Sequence, residues 1–201
     1  MSDPSLTFSS IPEIIAEIAA GRLVIVADDP NRENEADLVG AASHCSPEMV
    51  NFMATHARGM ICTPITAERA EELDLPQMTR RNREGHKTAF TVTVDAAEGV
   101  TTGISAADRA LTIRLLADPA AGPDACVRPG HVVPLQGVPE GVLRRTGPES
   151  RVSISFAALY VKVTARTACG DIWPVWISHA MRVVSTRVFP LPAPARIRAD
   201  W

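Results

Sequence analysis

An apolar run that empties directly into a cluster of carboxylates constrains this chain more than any other feature. Residues 23–27, Leu-Val-Ile-Val-Ala, are continuous and rich in β-branched side chains, the pattern of a strand covered on both faces. They lead into residues 28–37, Asp-Asp-Pro-Asn-Arg-Glu-Asn-Glu-Ala-Asp, with five carboxylates in ten residues. Like charges crowded at the end of a buried strand are costly unless a cation or several hydrogen-bond donors gather there. Hard oxygen donors of this kind suit Mg2+ or Mn2+. In isolation such a stretch reads as solvated acidic surface, but at a strand end it reads as a site.

The rest of the chain alternates helical and strand patterns. Ser10, Pro12 and Glu13 supply an N-cap, a first-turn proline and a capping-box acid for a helix that Gly21 ends. A returning strand is expected over 38–42, a helix capped by Ser46-Pro47-Glu48 up to Gly59, a strand at 60–62 and a helix from Thr66 to Leu73. Residues 77–87 lack apolar periodicity and read as an exposed loop. Residues 88–94 alternate, with Phe90, Val92 and Val94 on one face and Thr91 and Thr93 on the other, as in a half-buried strand. Ser105 caps a helix with Ala107, Ala110, Leu111 and Leu115 on its buried side, stopped before Pro119. A short strand over 131–135 follows a Pro129-Gly130 turn. Several connections are too short for a crossover helix, which favours a mixed sheet over a purely parallel one.

Length and composition bound the class. With 201 residues, 46% of them hydrophobic, the chain has enough for one good core and little for a second, so one globular domain over 1–201 is expected. No apolar run approaches the ~20 residues of a membrane-crossing helix, and the N-terminus is neither basic nor apolar, so a cytoplasmic protein without membrane association is expected. The charge of −3 conceals an asymmetry: residues 1–150 carry 13 Lys and Arg against 21 Asp and Glu, and residues 151–201 carry 7 against 2. All three Trp residues lie in that second part, where Val152, Ile154 and Phe156 and then Leu159, Val161 and Val163 form two alternating runs out of phase, a bulged strand or hairpin. Pro190, Pro192 and Pro194 then exclude a regular helix.

Other segments add chemistry. Cys45, Cys62, Cys126 and Cys169 lie 17, 64 and 43 residues apart, which matches no zinc or CxxC spacing and points to inert buried thiols. Residues 99–105, Gly-Val-Thr-Thr-Gly-Ile-Ser, set the hydroxyls of Thr101 and Thr102 and free N–H groups before a helix, a cradle for phosphate. Arg128-Pro129-Gly130-His131 places a histidine beside a strand. The run Arg80-Arg81-Asn82-Arg83 lacks interleaved aromatics, so a solvated loop is expected there and no nucleic-acid partner.

Five segments together carry a resemblance: ADDPNRENEADL (27–38), NFMATHARGMIC (51–62), HKTAFTVTVDA (86–96), GVTTGISAADRALTI (99–113) and VRPGHVVPLQ (127–136). From about residue 10 to residue 147 the chain resembles the 3,4-dihydroxy-2-butanone 4-phosphate synthases of riboflavin biosynthesis. The resemblance implies a three-layer α+β domain with a mixed β-sheet flanked by helices, and a homodimer with active sites at the subunit interface. It implies a lyase that converts D-ribulose 5-phosphate to 3,4-dihydroxy-2-butanone 4-phosphate and formate with Mg2+ (or Mn2+) and no redox cofactor. Carried over by residue, Arg32 and Glu33 contact substrate and Glu33 also binds metal. Glu35 and Asp37 complete the acidic set, with Asp37 also touching substrate. Thr101, Thr102 and Arg145 bind substrate, Thr102 near the phosphate, and His131 is the essential histidine.

The resemblance weakens where the charge balance changes. The family's Arg-Ala-Gly-His-Thr-Glu segment, which holds a second metal-binding histidine, corresponds to Arg145-Thr146-Gly147-Pro148-Glu149-Ser150. Pro148 stands at the histidine position and offers no side-chain ligand. The family's later Cys-Glu strand, with a catalytic glutamate, has no evident counterpart, which makes 148–201 an atypical segment. A divergent folded replacement, a shifted reading frame, and a homologue that binds a sugar phosphate without turnover or acts in specialised metabolism are the alternatives it leaves.

Overall fold

A computed structural model describes residues 9–28, 35–85, 87–137, 158–164, 182–187 and 196–198. Its helices are α1 (Ile11–Ala19), α2 (Pro47–Phe52), α3 (Ala67–Glu72) and α4 (Ala106–Ala117). Its strands are β1 (Val24–Asp28), β2 (Glu35–Ala41), β3 (Ile61–Ile65), β4 (Val94–Ala96), β5 (Cys126–Gln136), β6 (Ala158–Thr164), β7 (Arg182–Arg187) and β8 (Arg196–Arg198). They form one sheet in the order β4-β5-β3-β6-β2-β1-β7-β8. The β1–β7 and β3–β5 pairs are parallel and the other five are antiparallel, the mixed sheet expected.

Helices cover both faces. On one side Leu38, Ile25, Val132 and Val94 pack with Val50 and Met53 beneath α2, with Leu73 behind α3, and with Ile113 and Leu116 of α4. On the other, Ile14 of α1 packs on Val24, with Val26 and Val39 around it. The α1 entry follows its sequence signals: the Ser10 N–H donates to the Glu13 carboxylate at 2.8 Å, and Gly21 leaves the helix at φ +74°.

Several elements depart from the sequence expectations. Strand β2 starts at Glu35 instead of residue 38, because backbone pairing of Glu35, Ala36 and Asp37 with Thr164, Val163 and Lys162 outweighs their polarity. Helix α2 loosens into a wide π turn over Met53–Ala57 and ends on Arg58 in the left-handed region. The expected strand over 88–94 forms a ladder only from Val94, while Thr91 and Phe90 bridge singly to Gln77 and Leu135. Thr91, expected on the outer face, is fully buried, its hydroxyl donating to the Pro134 carbonyl at 3.2 Å.

The buried side of α4 is turned from the expected one: Asp108, Ala110, Thr112, Ile113 and Leu116 face inward, while Ala107 is exposed. Thr112 accepts the Ala96 N–H at 2.9 Å and donates to the Asp108 carbonyl at 3.0 Å, so it enters the core with its hydrogen bonds made. Strand β5 includes Pro129-Gly130 instead of starting after it, but its register against β4 slips between Val127 and Val132 around a cis Arg128–Pro129 bond. Gly130 is required because a Cβ there would lie 2.0 Å from the Val94 carbonyl carbon. Of the two runs expected over 152–163, the first lies outside the described residues and the second is the core of β6. The proline arm at 190–194 also lies outside them.

Candidate active site

Strands β4 and β5 bring a carboxylate against the histidine. The His131 backbone N–H donates to Asp95 Oδ1 at 2.9 Å, and ring Nδ1 meets Asp95 Oδ2 at 2.7 Å. The Asp95 side chain is 8% exposed and that of His131 41%. An ionised carboxylate only accepts, so a hydrogen bond here requires the ring's hydrogen to be on Nδ1. The position beside the strand is also fixed: the Gly130 N–H donates to the Thr93 hydroxyl at 3.1 Å.

The loop between β4 and α4 closes over this pair. Gly103 has φ +89°, and a Cβ there would fall 2.0 Å from Asp95 Oδ2 and 2.6 Å from His131 Nδ1, so only a glycine brings backbone this close. Asp108 holds the loop from inside α4. Its carboxylate accepts from the Thr101 N–H at 3.1 Å, the Thr101 hydroxyl at 2.7 Å and the Gly103 N–H at 3.1 Å, while its own N–H is capped by Ser105 Oγ at 3.0 Å. The Thr101 hydroxyl above all holds the Asp108 carboxyl below the usual aspartate range. Thr101 thus spends its hydrogen on the loop, and Thr102 next to it is exposed.

Register relates this cluster to the acidic strand. Val133, Cys62, Tyr160 and Val39 occupy one cross-strand row through β5, β3, β6 and β2. His131 and Asp37 each lie two residues from that row, displaced toward the same end of the sheet. Because side chains alternate with period two, they share a face, with two strands between them and a separation of roughly 14 Å at ordinary strand spacing. Glu35 lies two residues further along β2, opposite Thr164.

Arg32, Glu33 and Arg145 lie outside the described residues. Among the described residues no three His, Cys, Asp or Glu side chains gather to hold a metal. By donor chemistry, the all-oxygen carboxylate stretch 28–37, which includes Glu33, suits Mg2+. Cys45, Cys62 and Cys126 are free and buried, as expected of inert thiols, and Cys169 lies outside the described residues. Asp95 and Asp108 were not among the sequence candidates. The signals were present: an aspartate closing the apolar alternation of 90–96, and an acid three residues after an N-cap serine.

Comparison with known proteins agrees with this architecture. The family model for 3,4-dihydroxy-2-butanone 4-phosphate synthase matches residues 12–165, past the last of the motifs quoted above. The riboflavin biosynthesis protein RibBA of Salinispora arenicola is 58% identical over 141 residues, covering 70% of this chain and 34% of that protein. The 3,4-dihydroxy-2-butanone 4-phosphate synthase of Agrobacterium fabrum is 45% identical over 164 residues, 82% of this chain and 76% of that one. A crystal structure of a 3,4-dihydroxy-2-butanone 4-phosphate synthase in complex with two magnesium ions superposes with a TM-score of 0.71 at 46% identity, covering 78% of this chain and 76% of that one. The chain spans less than half the length of RibBA proteins that it matches, from 28% to 44%. With the family model covering most of its length and the fold shared with a solved member, this chain belongs to the 3,4-dihydroxy-2-butanone 4-phosphate synthase family.

Proposed function

We propose that the chain converts D-ribulose 5-phosphate to 3,4-dihydroxy-2-butanone 4-phosphate and formate, as a Mg2+-dependent step of riboflavin biosynthesis in the cytoplasm. The reading rests on one observation: the Asp95–His131 pair meets the Gly99–Gly103 loop on the same face and end of the sheet as Asp37. Enolisation beside a ketone needs a base at carbon, and His131 Nε2 is free for that proton. Thr102 suits the phosphate, together with Arg145, while Thr101 shapes the loop, because its N–H and hydroxyl and the Gly103 N–H are given to Asp108. Arg32 and Asp37 serve substrate hydroxyls, and Glu35 extends the carboxylate set. Glu33 would hold the metal, Mg2+ or Mn2+. When bound, the metal supplies electrophilic stabilisation of charge developing on substrate oxygen. All 201 residues act as one domain, with 148–201 its atypical segment.

The test is incubation of the pure chain with ribulose 5-phosphate and Mg2+, with formate measured. Formate that disappears on metal removal and in Glu33→Gln is the expected outcome. Glu33→Gln should also weaken Mg2+ binding in calorimetry. With no evident counterpart of the family's catalytic glutamate after residue 150, in addition to Pro148 at the metal-binding histidine position, turnover should be about a hundredfold or more below that of a family member carrying both. Absence of formate, or full activity without divalent metal, would overturn the reading.

A further inference from the structure

Asp95 lies against the His131 ring, which is the more exposed of the two. Three observations bear on what it does. Its two oxygens are both committed to His131, one to the backbone N–H at 2.9 Å and one to Nδ1 at 2.7 Å. It is nearly buried while His131 is partly open. Gly103 seals the pair from above, where a Cβ would overlap both side chains.

We infer that Asp95 is a positioning residue: by accepting from Nδ1 and from the backbone of the same histidine, it fixes the ring plane and places the neutral ring's hydrogen on Nδ1. This rests on the proposed role of His131 as the base. A free neutral imidazole can carry its hydrogen on either nitrogen, and only the form with a hydrogen on Nδ1 has its Nε2 lone pair open. The double attachment also removes the rotation that one contact would leave, which matters because a proton acceptor must lie within hydrogen-bond reach of its target.

Asparagine at this position makes the inference falsifiable. In Asp95→Asn the side-chain carbonyl can still receive the His131 backbone N–H, which leaves the amide N–H2 facing Nδ1. The ring must then accept there and carry its hydrogen on Nε2. Nitrogen-15 shifts of the histidine rings in the full chain, with His131 assigned by its loss in His131→Gln, should report Nδ1–H in the wild type and Nε2–H in Asp95→Asn. In the same variant kcat for formate release should fall about 10²–10⁴-fold with KM unchanged, and Asp95→Glu, which keeps an acceptor, should recover part of both. A wild-type ring with its hydrogen on Nε2 overturns the inference whatever the variants do. So does a fall in kcat without a change of tautomer, which would mark Asp95 as structural only. A chain that makes no formate yet switches tautomer in Asp95→Asn sustains the inference and overturns the proposed activity, so the two fail separately.

Discussion

Desolvation pushes the thiols of Cys45 and Cys62 up to about 12, with the nearby Asp37 carboxylate adding to the effect at Cys62 and Arg114 opposing it at Cys45. Neither thiol forms appreciable thiolate at neutral pH, and both are buried, so neither can act as a nucleophile in the native protein. Mass spectrometry after iodoacetamide treatment at pH 8 should find both unmodified in the folded chain and alkylated once it is denatured. Modification of Cys62 in the folded state would show that the strand beside Asp37 opens. The same scale explains what sequence reading could reach. His131 and Asp37 announced themselves by residue type beside strands. Asp95 was passed over, because an aspartate closing an apolar alternation signals a buried acid without naming its partner, 36 positions away in sequence.

At the scale of elements, α4 is held at both ends by side chains outside the usual pattern. Asp108 reaches back to the preceding loop, and Arg69 of α3 donates to the carbonyls of Leu116 and Asp118 at the far end, at 3.1 and 2.5 Å. Asp108 binds its proton less tightly folded than unfolded. Its contribution is therefore complete above the ordinary aspartate range and is lost as pH falls through that range and below it. Asp108→Ala should remove the contribution at every pH, lowering the urea midpoint clearly at pH 7 and by much less at acid pH. Urea melts at pH 7 and pH 3 check this, and an equal loss at both would assign the effect to packing. The α1, α2 and α4 entries were legible because capping is local in sequence. The inner face of α4, the length of β5 and the broken ladder at 88–94 were not. Each depends on a hydrogen bond to a distant strand, such as Thr112 to Ala96 or Thr91 to Pro134.

For the molecule as a whole, the mixed sheet could be read from element order and short connections, and the three layers were implied by the family resemblance, while the placing of the strands beyond residue 150 could not be read. Strands β7 and β8 are short and carry weak alternation, and they take their places by pairing with β1 and with each other. The apolar side chains left in solvent bear on assembly. Ile104 adjoins Gly103 and is 56% exposed, and Met60 and Met78 are 54% and 51% exposed. A second copy covering such residues would form a homodimer with the site near its interface, so light scattering should give a mass near twice 21.5 kDa. Ile104→Glu should shift the population toward monomer. A wild-type monomer at micromolar concentration would contradict this.

The position of β6 has a consequence for how the protein comes into being. This strand lies between β3 and β2, with β4, β5 and β3 on one side and β2, β1, β7 and β8 on the other. By the time residue 137 has left a ribosome, two groups of strands can exist but nothing joins them. The facing edges of β3 and β2 then stay bare until residues 158–164 arrive, and the far edge of β1 until residues 182–187 do. Such edges are templates for wrong pairing, and at about 5–20 residues per second the interval lasts on the order of seconds. Translation speed across this stretch thus bears on yield. The keystone of the sheet is made only after β1 to β5.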